Sequence, residues 1–137
     1  LKNLLILPFL FLLFATSACA QETTEYLLSS HVLDITEGLP ASGVPIKLEK
    51  LDETTNEWTL VAEKSTNESG RVNDFLPKET AELGTYRFTF MVEDYFERKQ
   101  TETFYPFIEV VFRLDESKHY HVPITLSAFG YSTYRGS

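Results

Sequence analysis

Between Thr85 and Val92 the side chains of Tyr86, Phe88 and Phe90 alternate with Thr85, Arg87, Thr89 and Met91. Successive side chains of a strand leave on opposite faces, so this spacing predicts a strand with three large rings on one side. The same period recurs in Val44, Ile46 and Leu48, and again over Tyr120 to Phe129, where Val122, Ile124, Leu126 and Ala128 oppose His121, Pro123, Thr125 and Ser127. Tyr26 to Leu33, Trp58 to Glu63, Arg71 to Leu76 and Phe107 to Leu114 read as further strands, with Trp58, Leu60 and Ala62 sharing one face. Pro45 marks a strand start or an edge. Turn residues separate these runs at Glu37 to Pro40, Asp52 to Asn56 and Asn67 to Gly70. Seven or eight short strands predict an all-β sandwich or barrel. Pro77 to Leu83, with proline first, early acids and Gly84 just beyond, predicts one short helix, whereas Asp94 to Thr103 reads as a charged loop.

A chain of 137 residues builds one domain around one core. Lys plus Arg number 12 against 20 Asp plus Glu, for a net charge of -8. That balance excludes a protein that tracks phosphates, so no nucleic-acid partner is expected. The opening LKNLLILPFLFLLFATSACA carries one Lys, an apolar run from Leu4 to Phe14, and small residues at Ala18 and Ala20. It reads as a signal peptide over residues 1–20, removed to leave a domain at 21–137. The apolar run is far shorter than the ~20 residues a membrane span needs. The expectation is a periplasmic or secreted protein with no membrane attachment after cleavage. Cys19, the only cysteine, leaves with the leader, and with it any disulfide or cysteine nucleophile.

The three histidines, His31, His119 and His121, all fall in or beside predicted strands. They can be satisfied strand residues. They can also be zinc ligands, since His119 and His121 lie on one strand face, although no HExxH spacing or cysteine supports a metal. In a third reading imidazoles move protons while Arg71, at the mouth of a strand after Ser69-Gly70, and Arg135 hold a polarised carbonyl or an anion. Gly136 permits close backbone approach near the chain end.

Two segments narrow these choices. Ser30-His31-Val32-Leu33-Asp34, continuing through Gly38-Leu39-Pro40-Ala41 to Gly43-Val44, and His119-Tyr120-His121-Val122-Pro123 with the closing Tyr134-Arg135-Gly136-Ser137, resemble the transthyretin-related 5-hydroxyisourate hydrolases. Ser69-Gly70-Arg71 and Tyr105-Pro106-Phe107 fit the same family, and the resemblance spans roughly 27 to 137. It implies a two-sheet transthyretin-like sandwich, a homotetramer built as a dimer of dimers, and active sites in the channel between dimers. It further implies His31, Arg71 and His121 as catalytic residues, with His119 peripheral or supporting, and Tyr134, Arg135, Gly136 and Ser137 as substrate-binding residues. Ser137 would serve as a hydrogen-bond donor and Tyr134 would shape the pocket. No cofactor or metal is implied. The transthyretins, which carry ligands without turnover, hold other residues at the positions of His31, Arg71 and His121 and lack the closing YRGS. Ala128 departs from the proline usual in the family after Leu126-Ser127.

Overall fold

Tyr86, Phe88 and Phe90 are all buried, as their alternation requires, in a computed structural model that describes residues 24–137. The expected leader, with Cys19, lies outside the described residues. The elements are β1 (Tyr26–Asp34), β2 (Leu39–Pro40), β3 (Pro45–Asp52), β4 (Glu57–Ser65), β5 (Arg71–Pro77), β6 (Gly84–Phe90), α1 (Glu93–Arg98), β7 (Ile108–Leu114), β8 (Tyr120–His121), β9 (Ile124–Ser127) and β10 (Gly130–Thr133). One sheet runs β4-β3-β6-β7, all antiparallel. The other is organised around β1, which pairs antiparallel with β5 and β2 and parallel with β8 and β9, while β10 closes onto β9. Between the sheets Phe75 meets Phe88 at 5.0 Å between ring centres, and Leu28, Val32, Ile46, Leu48, Ile124 and Leu126 are fully buried around them.

The described residues thus form a two-sheet all-β sandwich with ten strands, more than the seven or eight expected. The run expected as one strand over Tyr120 to Phe129 is two, β8 and β9, and the reason is Pro123. Proline has no N–H to give to the ladder, yet the register against β1 is kept on both sides of it, Ser29 facing His121 and Val32 facing Ile124. Backbone Val122 N–H donates to Ser29 O at 3.0 Å. The buried Ser30 hydroxyl donates to Val122 O at 2.9 Å, occupying an acceptor that the interrupted ladder leaves free. Pro45 opens β3, an interior strand, so it marks a start rather than an edge.

Two sequence expectations are corrected. The short helix is Glu93–Arg98, not Pro77 to Leu83. Pro77 ends β5, Lys78 N–H is taken by Glu25 O, and Glu82 pairs with Lys50, so this segment is held by tertiary contacts in a turn. A helix this short forms where packing favours it. Tyr95 and Phe96 are the buried residues of α1, their rings meeting edge to face at 5.3 Å, and Tyr95 donates to the buried Asp34 at 2.8 Å. Nor do Trp58, Leu60 and Ala62 share a face. A bulge between Leu48 and Glu49 puts Ala62 opposite core-facing Leu48, but Leu60 opposite Glu49 and Trp58 opposite Leu51. Leu60 is consequently 56% exposed, and Trp58 lies under the Arg87 guanidinium at 4.4 Å.

Removing the Ser30 hydroxyl leaves the Val122 carbonyl buried without that donor. Ser30→Ala should therefore lower stability by about 1–3 kcal/mol, read from the urea midpoint of unfolding at fixed protein concentration.

Candidate active site

Leu28, Ser30 and Val32 of β1 are buried toward the core, which leaves Ser29 and His31 on the opposite face of the sheet. Residues directly opposite each other in a ladder share a face. His31 faces Arg71 across β5, and Ser29 faces His121 across β8. The alternation of β1 thereby gathers His31, Arg71 and His121, from three strands, on one side of one sheet.

Arg71 and His121 are fixed by local structure. Arg71 is delivered by the turn at Asn67 to Gly70: Asn67 Oδ1 accepts from the backbone N–H of Ser69 at 2.9 Å and of Arg71 at 3.0 Å. Gly70 has φ +69, and a Cβ there would lie 2.6 Å from Val32 O, so only glycine brings this turn onto β1. His121 is held from two sides. Its Nδ1 lies 2.8 Å from Ser29 Oγ, which also lies 3.0 Å from His119 Nε2. On the other side Gly136 pairs with it, donating its N–H to His121 O at 2.8 Å. A Cβ on Gly136 would sit 2.5 Å from His121 Cδ2, so the imidazole lies directly against a bare backbone.

The remaining expected residues spread out from this point. Arg135 places its guanidinium over the Tyr120 ring at 4.8 Å, and Tyr120 donates to Asp115 at 2.5 Å. Tyr134 is 59% exposed, and Ser137 is exposed at the chain end. Thr133 donates to Pro123 O at 2.9 Å, tying β10 to the residue that interrupts the ladder. Ser29 escaped the sequence reading although a signal existed: it precedes His31 by one strand period. Clefts of about 580 Å³, beside Lys50, Val61 and Glu82, and about 350 Å³, beside Val110, Asp115 and Arg135, do not include His31, Arg71 or His121. On their sheet face Arg71 is exposed and His31 and His121 are half-buried. Among the described residues no group of three His, Cys, Asp or Glu side chains is placed to hold a metal ion.

Charge completes the picture. Burial pushes the His31 pKa down and the Arg71 charge pushes it further, against a backbone hydrogen bond at Ser69. His121 is lowered by burial, then by Arg71, His31 and His119. Both imidazoles therefore stay neutral to below their ordinary 6.5, able to accept a proton beside a guanidinium that donates only. Two bases and a fixed cation are the parts needed to add water to a carbonyl.

Residues 28–136 match the HIUase/Transthyretin family. The chain belongs to this family. It is 45% identical over 132 residues to a probable 5-hydroxyisourate hydrolase of Caenorhabditis elegans, covering 92% of this chain and 96% of that one. Among solved structures, a Klebsiella pneumoniae 5-hydroxyisourate hydrolase matches with a TM-score of 0.70 at 33% identity, over 82% of this chain and 99% of the other. Transthyretin from Sparus aurata matches with a TM-score of 0.75 at 27% identity, over 80% and 96%. The shared sandwich thus holds hydrolase and transthyretin alike. Within the family, side chains decide chemistry.

The sign of the imidazole shifts is testable. A folded protein with depressed imidazole pKa values binds fewer protons than its unfolded chain, so this contribution to stability is lost as pH falls below 6.5. NMR titration should place His31 and His121 below that value, and Arg71→Ala should raise both.

Proposed function

We propose that this chain hydrolyses 5-hydroxyisourate to 2-oxo-4-hydroxy-4-carboxy-5-ureidoimidazoline, a step of urate degradation. The observation that carries the reading is the placement of His31, Arg71 and His121 on one face of the β1 sheet. The 5-hydroxyisourate hydrolases among its relatives support it.

The substrate carbonyl lies against Arg71, whose guanidinium offers several donors and no acceptor and stabilises the oxyanion as it forms. His31 and His121 hold a water between them. One imidazole removes its proton as the oxygen bonds to the carbonyl carbon, and the imidazolium so formed returns that proton to the departing nitrogen as the ring C–N bond breaks, while the other imidazole keeps the water in line. Closeness of three fixed groups lets water react without a metal. Gly136 lets the C-terminal strap approach the His121 ring, and Ser137 beyond it borders the substrate, while Tyr134 and Arg135 lie farther out in the cleft beside Val110 and Asp115.

The working form is a homotetramer, a dimer of dimers. An open sheet face excludes water poorly, and a second pair of subunits laid over it encloses the substrate. Phe104 and Phe129, 72% and 71% exposed, supply apolar surface for such contacts. Residues 1–20 direct export to the periplasm or outside. Light scattering tests the first statement and cell fractionation the second: a monomer, or mature protein confined to the cytosol, overturns them.

With 5-hydroxyisourate made freshly from urate, purified protein should accelerate its ultraviolet decay in the presence of chelator. His121→Ala should lower kcat by about 10²-fold or more. Decay at the spontaneous rate with folded wild-type protein would contradict the hydrolase reading and favour a channel that binds without turnover.

A further inference from the structure

The hydroxyl of Ser29, a residue only 4% exposed, stands between two imidazole nitrogens, His119 Nε2 at 3.0 Å and His121 Nδ1 at 2.8 Å. A hydroxyl has one proton to donate, so it donates to one of these nitrogens and accepts from the other. Only two arrangements satisfy the chain. In the first, His121 Nδ1–H donates to Ser29 and Ser29 donates to His119 Nε2. His121 Nε2 then carries a lone pair, and when it takes a proton the Nδ1–H bond to Ser29 is already in place. In the second, His119 Nε2–H donates to Ser29 and Ser29 donates to His121 Nδ1. A neutral His121 then holds its proton on Nε2 and has no free nitrogen with which to accept another.

We propose that Ser29 and His119 are positioning residues that set His121 in its basic tautomer, and that protonation of the exposed His119 turns this base off. The inference rests on the reading of His121 as a proton acceptor in hydrolysis. A neutral His119 can leave Nε2 free to receive the Ser29 proton. A protonated His119 carries hydrogen on both nitrogens and forces the second arrangement. Among the described residues Ser29 is the side chain hydrogen-bonded to His121; β1 also brings His31, β5 brings the cation Arg71, and the C-terminal strap brings Gly136 while its Arg135 turns to Tyr120. The proton account closes. Water gives one proton to His121 Nε2 and its oxygen to the carbonyl carbon, and His121 Nε2 then passes that proton to the substrate's ring nitrogen as the C–N bond breaks, while Nδ1–H, Ser29 and His119 keep their own protons and hold the imidazolium in place. This is the role an orienting group plays behind a catalytic histidine, here filled by a serine and a second histidine.

The test is a pair of pH profiles, kcat and KM for 5-hydroxyisourate, measured on the wild type and on Ser29→Ala, Ser29→Thr, His119→Gln and His121→Ala, each checked for folding by circular dichroism. Ser29→Ala should lower kcat about tenfold or more with KM changed less than about threefold, and Ser29→Thr should recover most of the loss because it keeps the hydroxyl. The amide oxygen of His119→Gln accepts from Ser29 at every pH, so the acid limb of kcat should become shallower by one titrating group. Wild-type kcat and acid limb in folded Ser29→Ala, or an unchanged acid limb in His119→Gln, overturn the proposal while inactive His121→Ala leaves the hydrolase reading standing. Full activity in His121→Ala removes the base itself and this proposal with it, whereas the hydrolase reading falls only if wild-type protein leaves the spontaneous rate unchanged.

Discussion

The site depends on the register of β1. Side chains alternate along a strand, so a slip of one residue against its neighbours would turn Ser29 and His31 into the core and Leu28 and Val32 out of it. Burying an aliphatic side chain of this size is worth about 1.5–3 kcal/mol, more than the ~1 kcal/mol net of a typical hydrogen bond on the other face. Hydrophobic parity therefore decides the register, and the polar groups inherit their positions from it. The inner face of β1 holds the sandwich together, and its outer face presents the imidazoles.

The same strand explains why the neighbouring run of chain is broken without being lost. Pro123 removes a ladder donor, and the two serines of β1 work on opposite sides of that gap. Ser30 reaches inward to the Val122 carbonyl, and Ser29 reaches outward to the two histidines. Opposite His121 the strap is stripped to glycine, since any side chain at Gly136 would strike the imidazole. A serine on one side and a bare backbone on the other leave His121 little freedom to turn. Burial first, and then the crowding of Arg71, His31 and His121, lowers the pKa of both imidazoles.

Much of this was legible in the sequence, and the boundary of legibility has a physical cause. Apolar or β-branched runs bounded by turns located β1, β5 and β7, and period-two alternation located β3 and β6 because each buries one face against the core. It misjudged β4, where the bulge beside Leu48 reverses the faces and leaves Leu60 exposed. It missed α1, which is made helical by the burial of Tyr95 and Phe96 rather than by its own propensity. The catalytic candidates were named from the family resemblance. That resemblance could not say that Arg135 lies on Tyr120, because that contact is set by the fold at the chain end. Ser29 lay in view all along, one strand period from His31.

The central claim is that His31 and His121 act on one water as a single unit. A double-mutant cycle measures this most directly: kcat for His31→Ala, His121→Ala and the double variant, all verified as folded. Residues that act together are strongly non-additive, so the double variant should be about as slow as the slower single variant. If the two losses multiply instead, the histidines work independently and the shared-water mechanism is wrong.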